Sequence, residues 1–278
     1  MCSFHRFNMK NARIMSTKTH LAALASTAKG GLVTPGDAAV VWGLTPKLAS
    51  NRLARLCRAG WVTRVAQGVY QLLPLEAASA QDTSVEDPWL LATVLFEPCY
   101  IAGWSACEHW GLTEQLFNST FVASAASVRS RNQTHGGLRY RIVRVPEARV
   151  LSVAPSWRAH HRVRVSDRER TIVDGLTDPA WVGGIRQLAD VVESYVGSEH
   201  YDTGKLRRAL TAHGKGASFK RLGYIAEQLQ GPAGELTRVA ASGISKGITK
   251  LDPDLKSHGP INTRWALVIN ADLQRGRS

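Results

Sequence analysis

Cationic and amide side chains recur at helical spacing within the first quarter of the chain. At about 100° per residue, one helical sector of about 80° carries four polar side chains: Lys47, Asn51, Arg55 and Arg58. The opposite side carries four apolar ones: Leu48, Ala49, Leu53 and Leu56. Lysine and arginine contact phosphates and guanine edges, and asparagine pairs with adenine edges, in a DNA major groove. Because charges on a helix face are often merely solvated, the pattern indicates DNA binding only in a suitable structural context.

The elements predicted around this helix provide that context. Apolar spacing and glycine stops predict a first helix from about Thr19 to Lys29 and a second from Thr34 to Val41, before Gly43. The third helix runs from Thr45 to Gly60, and it opens, like the second, with a threonine followed by a proline. In the next residues, WVTRVAQGVYQLL, apolar side chains alternate with others on both sides of Gln67-Gly68, which predicts a β-hairpin.

Three short helices and a hairpin predict a winged helix-turn-helix over residues 17–75, with the third helix as the recognition helix. We expect the DNA contacts to come from that helix and from the hairpin, or wing: Lys47, Ser50, Asn51, Arg55, Arg58, Arg64 and Gln67. Arg64 and Gln67 would approach phosphate or the minor groove, although wings can also serve only to pack.

The net charge is distributed unevenly along the 278 residues. The formal net charge is +13. Residues 1–75 hold ten Lys or Arg and one acid, Asp37; residues 76–200 hold 12 basic and 15 acidic residues; residues 201–278 hold 13 and 6. A polyanion-binding surface is therefore expected at the ends of the chain and not in its middle.

Composition and segment character indicate a globular protein of the α+β class. Apolar residues make up 44% and charged residues 21% of the chain, which is ordinary for globular domains. Residues 1–16 are interpreted as a basic arm, or as the result of an over-long start assignment. Residues 76–87, small and polar, predict a linker, and residues 88–278 a mixed α/β C-terminal domain with a helical end and a further boundary near 200.

Periodicity within the C-terminal part predicts alternating helices and strands. Helices are expected over 87–96, 105–110, 167–176, 181–196, 203–213 and 219–229, and strands over 120–123, 138–145, 161–165 and the final RWALVIN (264–270). A short extended stretch, CYIAG, precedes the 105–110 helix.

The lack of a targeting signal in the sequence and the pattern of cysteines favour a cytoplasmic protein. No apolar run approaches the roughly 18 to 20 residues of a membrane span, and the N-terminus lacks the apolar core of a signal peptide. The four cysteines show neither C-x-x-C spacing nor the density of a disulfide framework.

Two stretches are reminiscent of enzymes, but helix capping accounts for both. Gly103 to Cys107 follows an extended stretch like a nucleophile elbow, yet Cys107 replaces the last glycine, and Ser105 with Glu108 forms a capping-box pattern. Asp167, Glu169 and Asp174 could be metal-binding carboxylates of a nuclease, but Ser166 to Glu169 is again S-x-x-E, with arginines nearby for surface ion pairs.

Histidine and glycine patterns give no further site. His160 and His161 are adjacent and would therefore lie on opposite faces of a strand. No Cys or His follows either of them at a distance of three or four residues. Gly214-Lys215-Gly216 lacks the upstream glycine and the Ser or Thr of a phosphate-binding loop, so it is interpreted as a helix end. We therefore predict no catalytic residue, no metal and no cofactor.

Several segments carry a resemblance to a known family. GGLVTPGDAAVVWGLTPKLASNRLARLCRAGWVTRVAQGVYQLLP resembles the N-terminal winged helix of the AbiEi family, the antitoxin and transcriptional regulator of type IV toxin-antitoxin systems first associated with abortive phage infection. YIAGWSACEHWGLTEQ and VSDRERTIVDGL resemble stretches of that family's C-terminal antitoxin domain, and RLGYIAEQL with RWALVIN is similar to its end. The similarity covers nearly the whole chain after residue 17, and the basic arm is an addition to the family pattern.

The resemblance implies a repressor that binds inverted repeats upstream of its own operon. Geometry adds that symmetric repeats would favour two copies per site. Its C-terminal domain would assist cooperative binding and counter a nucleotidyltransferase-type toxin, by direct or indirect means. By the same resemblance the recognition helix is Thr45 to Ala59, and no catalytic residue is transferred. The alternative is a nucleic-acid-processing enzyme, a metal-dependent nuclease that its winged helix delivers to the substrate.

Overall fold

The computed structural model describes residues 18–73, 87–158, 161–229 and 233–273. The predicted basic arm and nearly all of the predicted linker lie outside these residues. The chain forms two compact units, each built from separate stretches of sequence: unit 1 from 1–97, 132–140 and 157–163, unit 2 from 98–131, 141–156 and 164–278. The fold is mixed α+β, and within the described residues no helix has both the length and the apolar character needed to cross a membrane.

Unit 1 begins with three helices and a small antiparallel sheet. Helix α1 covers residues 18–25, and two further helices follow: α2 (Pro35–Trp42) and α3 (Pro46–Arg58). Strands β1 (Leu32–Val33), β2 (Val62–Ala66) and β3 (Val69–Leu72) pair in the order β1-β3-β2. One apolar cluster joins these elements, and its members include Leu21, Leu24, Val33, Ala38, Leu53, Val62 and Tyr70.

Capping residues define where α2 and α3 begin. The Thr34 hydroxyl accepts a hydrogen bond from the Asp37 amide, and the Asp37 carboxylate accepts one from the Thr34 amide at 2.8 Å, which completes a capping box. The Thr45 hydroxyl accepts from the Leu48 amide at the start of α3. Gly43 ends α2 in the left-handed conformation at φ +61°.

The middle of the chain alternates short helices and strands. In chain order these are α4 (Pro88–Phe96), β4 (Cys99–Ile101), α5 (Gly103–His109), β5 (Thr120–Ser124), β6 (Asn132–His135), β7 (Leu138–Arg144), α6 (Glu147–Leu151), β8 (Pro155–Arg158) and β9 (His161–Arg164). One sheet has the order β4-β5-β7-β6, and β8 pairs with β9. Of these elements, α4, β6, the start of β7, the end of β8 and the start of β9 belong to unit 1.

Polar contacts join these later segments to the start of unit 1. The Gly136 amide, in the β6–β7 turn, donates to the Val65 carbonyl of β2 at 3.1 Å. The Gly30 amide donates to His161 Nε2 at 2.8 Å. Arg158 pairs with Asp87 at 2.7 Å and lies 4.2 Å from the centre of the Trp89 ring. Unit 1 is therefore complete only with residues far downstream of the three helices.

Unit 2 ends in a helical layer that buries most of its apolar residues. Its elements are α7 (Arg168–Thr177), a 3-10 turn (Pro179–Val182), α8 (Ile185–Val196), α9 (Thr203–His213), α10 (Gly216–Gln228), α11 (Ala233–Ala241), β10 (Thr249–Lys250), β11 (Ile261–Asn262) and β12 (Leu267–Val268). The short strands pair in the order β10-β12-β11. The core of these helices includes Ile172, Leu188, Val192, Leu222, Leu236 and Trp265.

Some predicted elements differ from those observed. The predicted final strand RWALVIN is a strand only at Leu267–Val268, because a turn with Ala266 at φ +49° precedes it. The predicted helix from 181 begins at Ile185, because Gly183 and Gly184 have positive φ angles. Seven of the described elements had no predicted counterpart: β1, β6, α6, β8, α11, β10 and β11.

Candidate nucleic-acid interface

Helix α3 separates an apolar buried face from a cationic exposed face. Ala49, Leu53 and Leu56 lie in the core of unit 1. All four residues predicted on the opposite sector are exposed: Lys47, Asn51, Arg55 and Arg58. The structure therefore brings these four side chains to one surface, and Ser50 lies at its edge, half-buried.

The prediction that Leu48 belongs to the buried apolar face of α3 is wrong. The helical projection assigned it to the buried side with Ala49, but its exposed fraction is 52%. Leu48 lies about 100° around the helix axis from Lys47, between the cationic sector and the buried face. The core of unit 1 does not extend to it. Leu48 is thus an apolar side chain beside the exposed cations.

Arg52 is a cation of α3 that serves the fold. Its guanidinium lies 4.9 Å from the centre of the Trp42 ring on α2 and 3.1 Å from His20 Nε2 on α1. The Trp42 indole nitrogen in turn donates to the His20 carbonyl at 3.3 Å. Arg52 therefore ties α3 to α1 and α2, a role that depends on residues too distant in sequence for helical spacing to indicate.

The hairpin beside α3 carries the two predicted wing residues. Arg64 and Gln67 are both exposed. Strand pairing shifts between Arg64 and Ala66, and the Arg64 Nε donates to the Ala66 carbonyl at 3.3 Å, which holds the side chain along its own strand. Gly68 has φ +73° and closes the turn, a conformation that glycine adopts without strain.

The electrostatics of this surface are strongly positive. Asp37, the one acid among residues 1–75, is engaged in the capping box of α2 and lies at the positive end of that helix. In the part of the chain that the structure describes, no salt bridge joins an acid to the cations of α3 or β2.

The nucleophile-like motif has a structural role that differs from the predicted one. Helix α5 begins at Gly103, two residues before Ser105, so Ser105 and Glu108 do not form the predicted capping box. The buried Ser105 hydroxyl accepts a hydrogen bond from the Phe121 amide at 2.9 Å. Its oxygen links α5 to β5.

The three carboxylates considered for a nuclease have separate partners. Asp167, and not Ser166 as predicted, caps α7 by accepting from the Arg170 amide, and Glu169 accepts from the Tyr195 hydroxyl at 2.7 Å. Asp174 is fully buried, so the predicted surface ion pairs do not describe it. Among the described residues, no group of three His, Cys, Asp or Glu is arranged to hold a metal ion.

Asp174 is the centre of a buried polar network in unit 2. One carboxylate oxygen accepts from Arg149 at 2.7 Å and from Arg170 at 2.8 Å, and the other accepts from the Tyr100 hydroxyl at 2.9 Å. Burial, and next the negative charge of Asp174, raise the pKa of Tyr100 above its ordinary value. Tyr100 is therefore a neutral donor, and the network joins β4, α6 and α7.

Comparison with known proteins finds a family that matches the N-terminal segment in sequence and a solved structure that resembles most of the chain in fold. Residues 21–73 match the model of a family described as transcriptional regulator, AbiEi antitoxin. The crystal structure of the RV2827C protein from Mycobacterium tuberculosis is similar in fold, with a TM-score of 0.58 and 18% sequence identity over 85% of each chain. No curated protein matches the chain in sequence.

Proposed function

We propose that this protein is a DNA-binding transcriptional autoregulator and antitoxin of a type IV toxin-antitoxin operon, and that residues 17–75 act as a winged helix-turn-helix. The observation that carries the proposal is the exposed sector of α3, with three cations and one asparagine opposite a buried apolar face. The family match over residues 21–73 includes this helix and the hairpin. Both support a regulator that binds through α3.

The side chains of the sector fit the edges of bases and the DNA backbone. Arginine and lysine can make paired hydrogen bonds to guanine, and Asn51 can do so to adenine, when a helix lies in the major groove. Arg64 and Gln67 on the hairpin would then face phosphate or the minor groove. Phosphate contacts supply affinity, and base contacts supply the choice of operator.

The remaining parts of the proposal concern the operon. Inverted repeats upstream of the gene would be bound by two copies of the chain, because a two-fold symmetric site matches two identical recognition helices. The C-terminal part would assist cooperative binding and counter a nucleotidyltransferase-type toxin, directly or indirectly. The family description of an antitoxin and transcriptional regulator supports this assignment.

A gel-shift titration tests the proposal. The full chain is titrated against the duplex upstream of its own gene and against a scrambled duplex, at two salt concentrations, with and without magnesium. We expect selective binding to the upstream duplex that does not require magnesium and leaves the DNA intact. Arg55→Ala with Arg58→Ala should weaken this binding by about 1 to 3 kcal/mol for each lost base contact.

A matched double variant controls for the loss of charge. Arg207→Ala with Arg208→Ala removes the same two charges from exposed positions of α9, and it should retain the preference for the upstream duplex. Equal binding to both duplexes by the unaltered chain would contradict operator recognition. Degradation of DNA in the presence of magnesium would favour the nuclease alternative and return attention to Asp167 and Glu169.

A further inference from the structure

The exposed face of α3 contains one apolar side chain that the core of unit 1 leaves uncovered. Leu48 has an exposed fraction of 52%, whereas Ala49 and Leu53 on the same helix are fully buried. Leu48 belongs to the first turn of α3, where its amide donates to the Thr45 hydroxyl. Its backbone is therefore held by the helix cap while its side chain lies at the surface.

The neighbours of Leu48 on the helix surface are the proposed DNA contacts. Residues three and seven positions further along a helix lie on nearly the same face, which places Asn51 and Arg55 beside Leu48. Lys47 precedes it and is also exposed. An apolar protein partner seated on Leu48 would have to desolvate these cations, which is costly without counter-charges. A DNA groove supplies phosphates and guanine edges to the cations and offers one apolar group of its own.

That apolar group is the 5-methyl of thymine, which lines the major groove and distinguishes thymine from cytosine. The first turn of a recognition helix is also where base edges are contacted in helix-turn-helix complexes. We propose that Leu48 is a specificity-determining residue that packs on thymine methyl groups of the bound DNA. The inference rests on the proposed function, and it names the chemical group that Leu48 recognises.

Uracil substitution tests this contact whatever the exact sequence of the operator. Amplification with dUTP in place of dTTP yields the upstream duplex with the same hydrogen-bonding edges but without the thymine methyls. The unaltered full chain should bind the uracil duplex about four-fold more weakly for each methyl that Leu48 covers. Leu48→Ala should bind the thymine duplex more weakly, and its affinities for the two duplexes should be nearly equal.

Two controls separate the contact from general effects. Val40→Ala truncates another exposed apolar residue, 85% exposed on α2, and should keep the thymine preference of the unaltered chain. Leu48→Ala should keep the salt dependence of binding, because no phosphate contact is lost, whereas Arg55→Ala should alter salt dependence or base preference. Circular dichroism melting checks that each variant is folded.

Each remaining outcome overturns a defined part of the proposal. Equal binding of both duplexes by the unaltered chain, with the upstream sequence still preferred over the scrambled one, would reject methyl recognition and leave the proposed function standing. An undiminished thymine preference in Leu48→Ala would assign the methyl contact to another residue. Failure to prefer the upstream sequence at all would reject the proposed function and this inference together.

Discussion

Arg52 and Arg55 lie three residues apart on α3 and differ in what surrounds them. Arg52 stacks on Trp42 and contacts His20, whereas Arg55 is exposed. A cation over an aromatic ring with additional polar contacts contributes to stability, and an exposed cation is available to a partner. The two arginines therefore allow stability and the proposed DNA binding to be altered separately.

Arg52→Ala should lower the free energy of unfolding of unit 1 by about 1 to 2 kcal/mol, because the cation–π contact and the hydrogen bond to His20 are lost. Arg55→Ala should leave unfolding within about 0.5 kcal/mol of the unaltered chain, as expected for an exposed position, while weakening DNA binding. Denaturant unfolding and gel-shift titration of both variants measure this. Comparable destabilisation by Arg55→Ala would show that its side chain also supports the fold.

Asp174 is the residue on which the buried polar network of unit 2 depends. Asp174→Asn keeps the shape of the side chain but leaves Arg149 and Arg170 without their buried counter-charge. We expect a loss of about 3 kcal/mol or more in unfolding free energy, since removing one partner of a buried ion pair strands the other. Denaturant unfolding is the measurement, and Glu193→Gln at an exposed position of α8 is the control. A loss no larger than that of the control would mean that the network is not stabilising.

At the scale of elements, a tryptophan near the end of the described chain packs against a glycine of α10. Trp265 is 1% exposed, and its ring lies against Gly223 so closely that a β-carbon at that position would overlap it. The turn before β12, with Ala266 at φ +49°, accompanies this contact between the indole and α10. The run of apolar residues in RWALVIN predicted a strand there, because a local pattern does not reveal a contact with a helix about 40 residues earlier.

Gly223→Ala should destabilise unit 2 by about 1 to 3 kcal/mol, because the added methyl overpacks a buried site. Gly234→Ala is the matched control: this helical glycine of α11 has open space where a β-carbon would be, so stability should stay the same or rise by up to about 1 kcal/mol. Thermal melting of both variants measures the difference. An unchanged midpoint of thermal unfolding for Gly223→Ala would contradict the close packing of Trp265 against Gly223.

The elements that sequence predicts well are those whose ends carry local signals. Asp202 caps α9, which spans the predicted residues 203–213, and Thr34 and Thr45 mark the starts of α2 and α3. Helical spacing likewise predicts the exposed cations of α3. The exposure of Leu48 and the partners of Arg52 depend instead on how far the core of unit 1 extends, and that is a property of the assembled helices.

At the scale of the whole molecule, which carries a net charge of +13, the response of the proposed DNA binding to salt should depend on how many of the cations neutralise phosphates. Four cations are proposed at the interface: Lys47, Arg55, Arg58 and Arg64. If each neutralises a phosphate, the logarithm of the affinity should fall with the logarithm of salt concentration with a slope of about −3.6 per copy. Titrations at four salt concentrations give the slope, and a slope near zero would contradict an electrostatic interface.

The discontinuity of unit 1 has a consequence for the order of events during synthesis. His161, which accepts from the Gly30 amide, is made 131 residues after it, a gap of roughly 7 to 26 s at about 5 to 20 residues per second. A nascent chain that has already released α3 from the ribosome thus lacks the segments that close unit 1. Under the proposed function, the α3 surface is therefore synthesised well before the unit that carries it is complete.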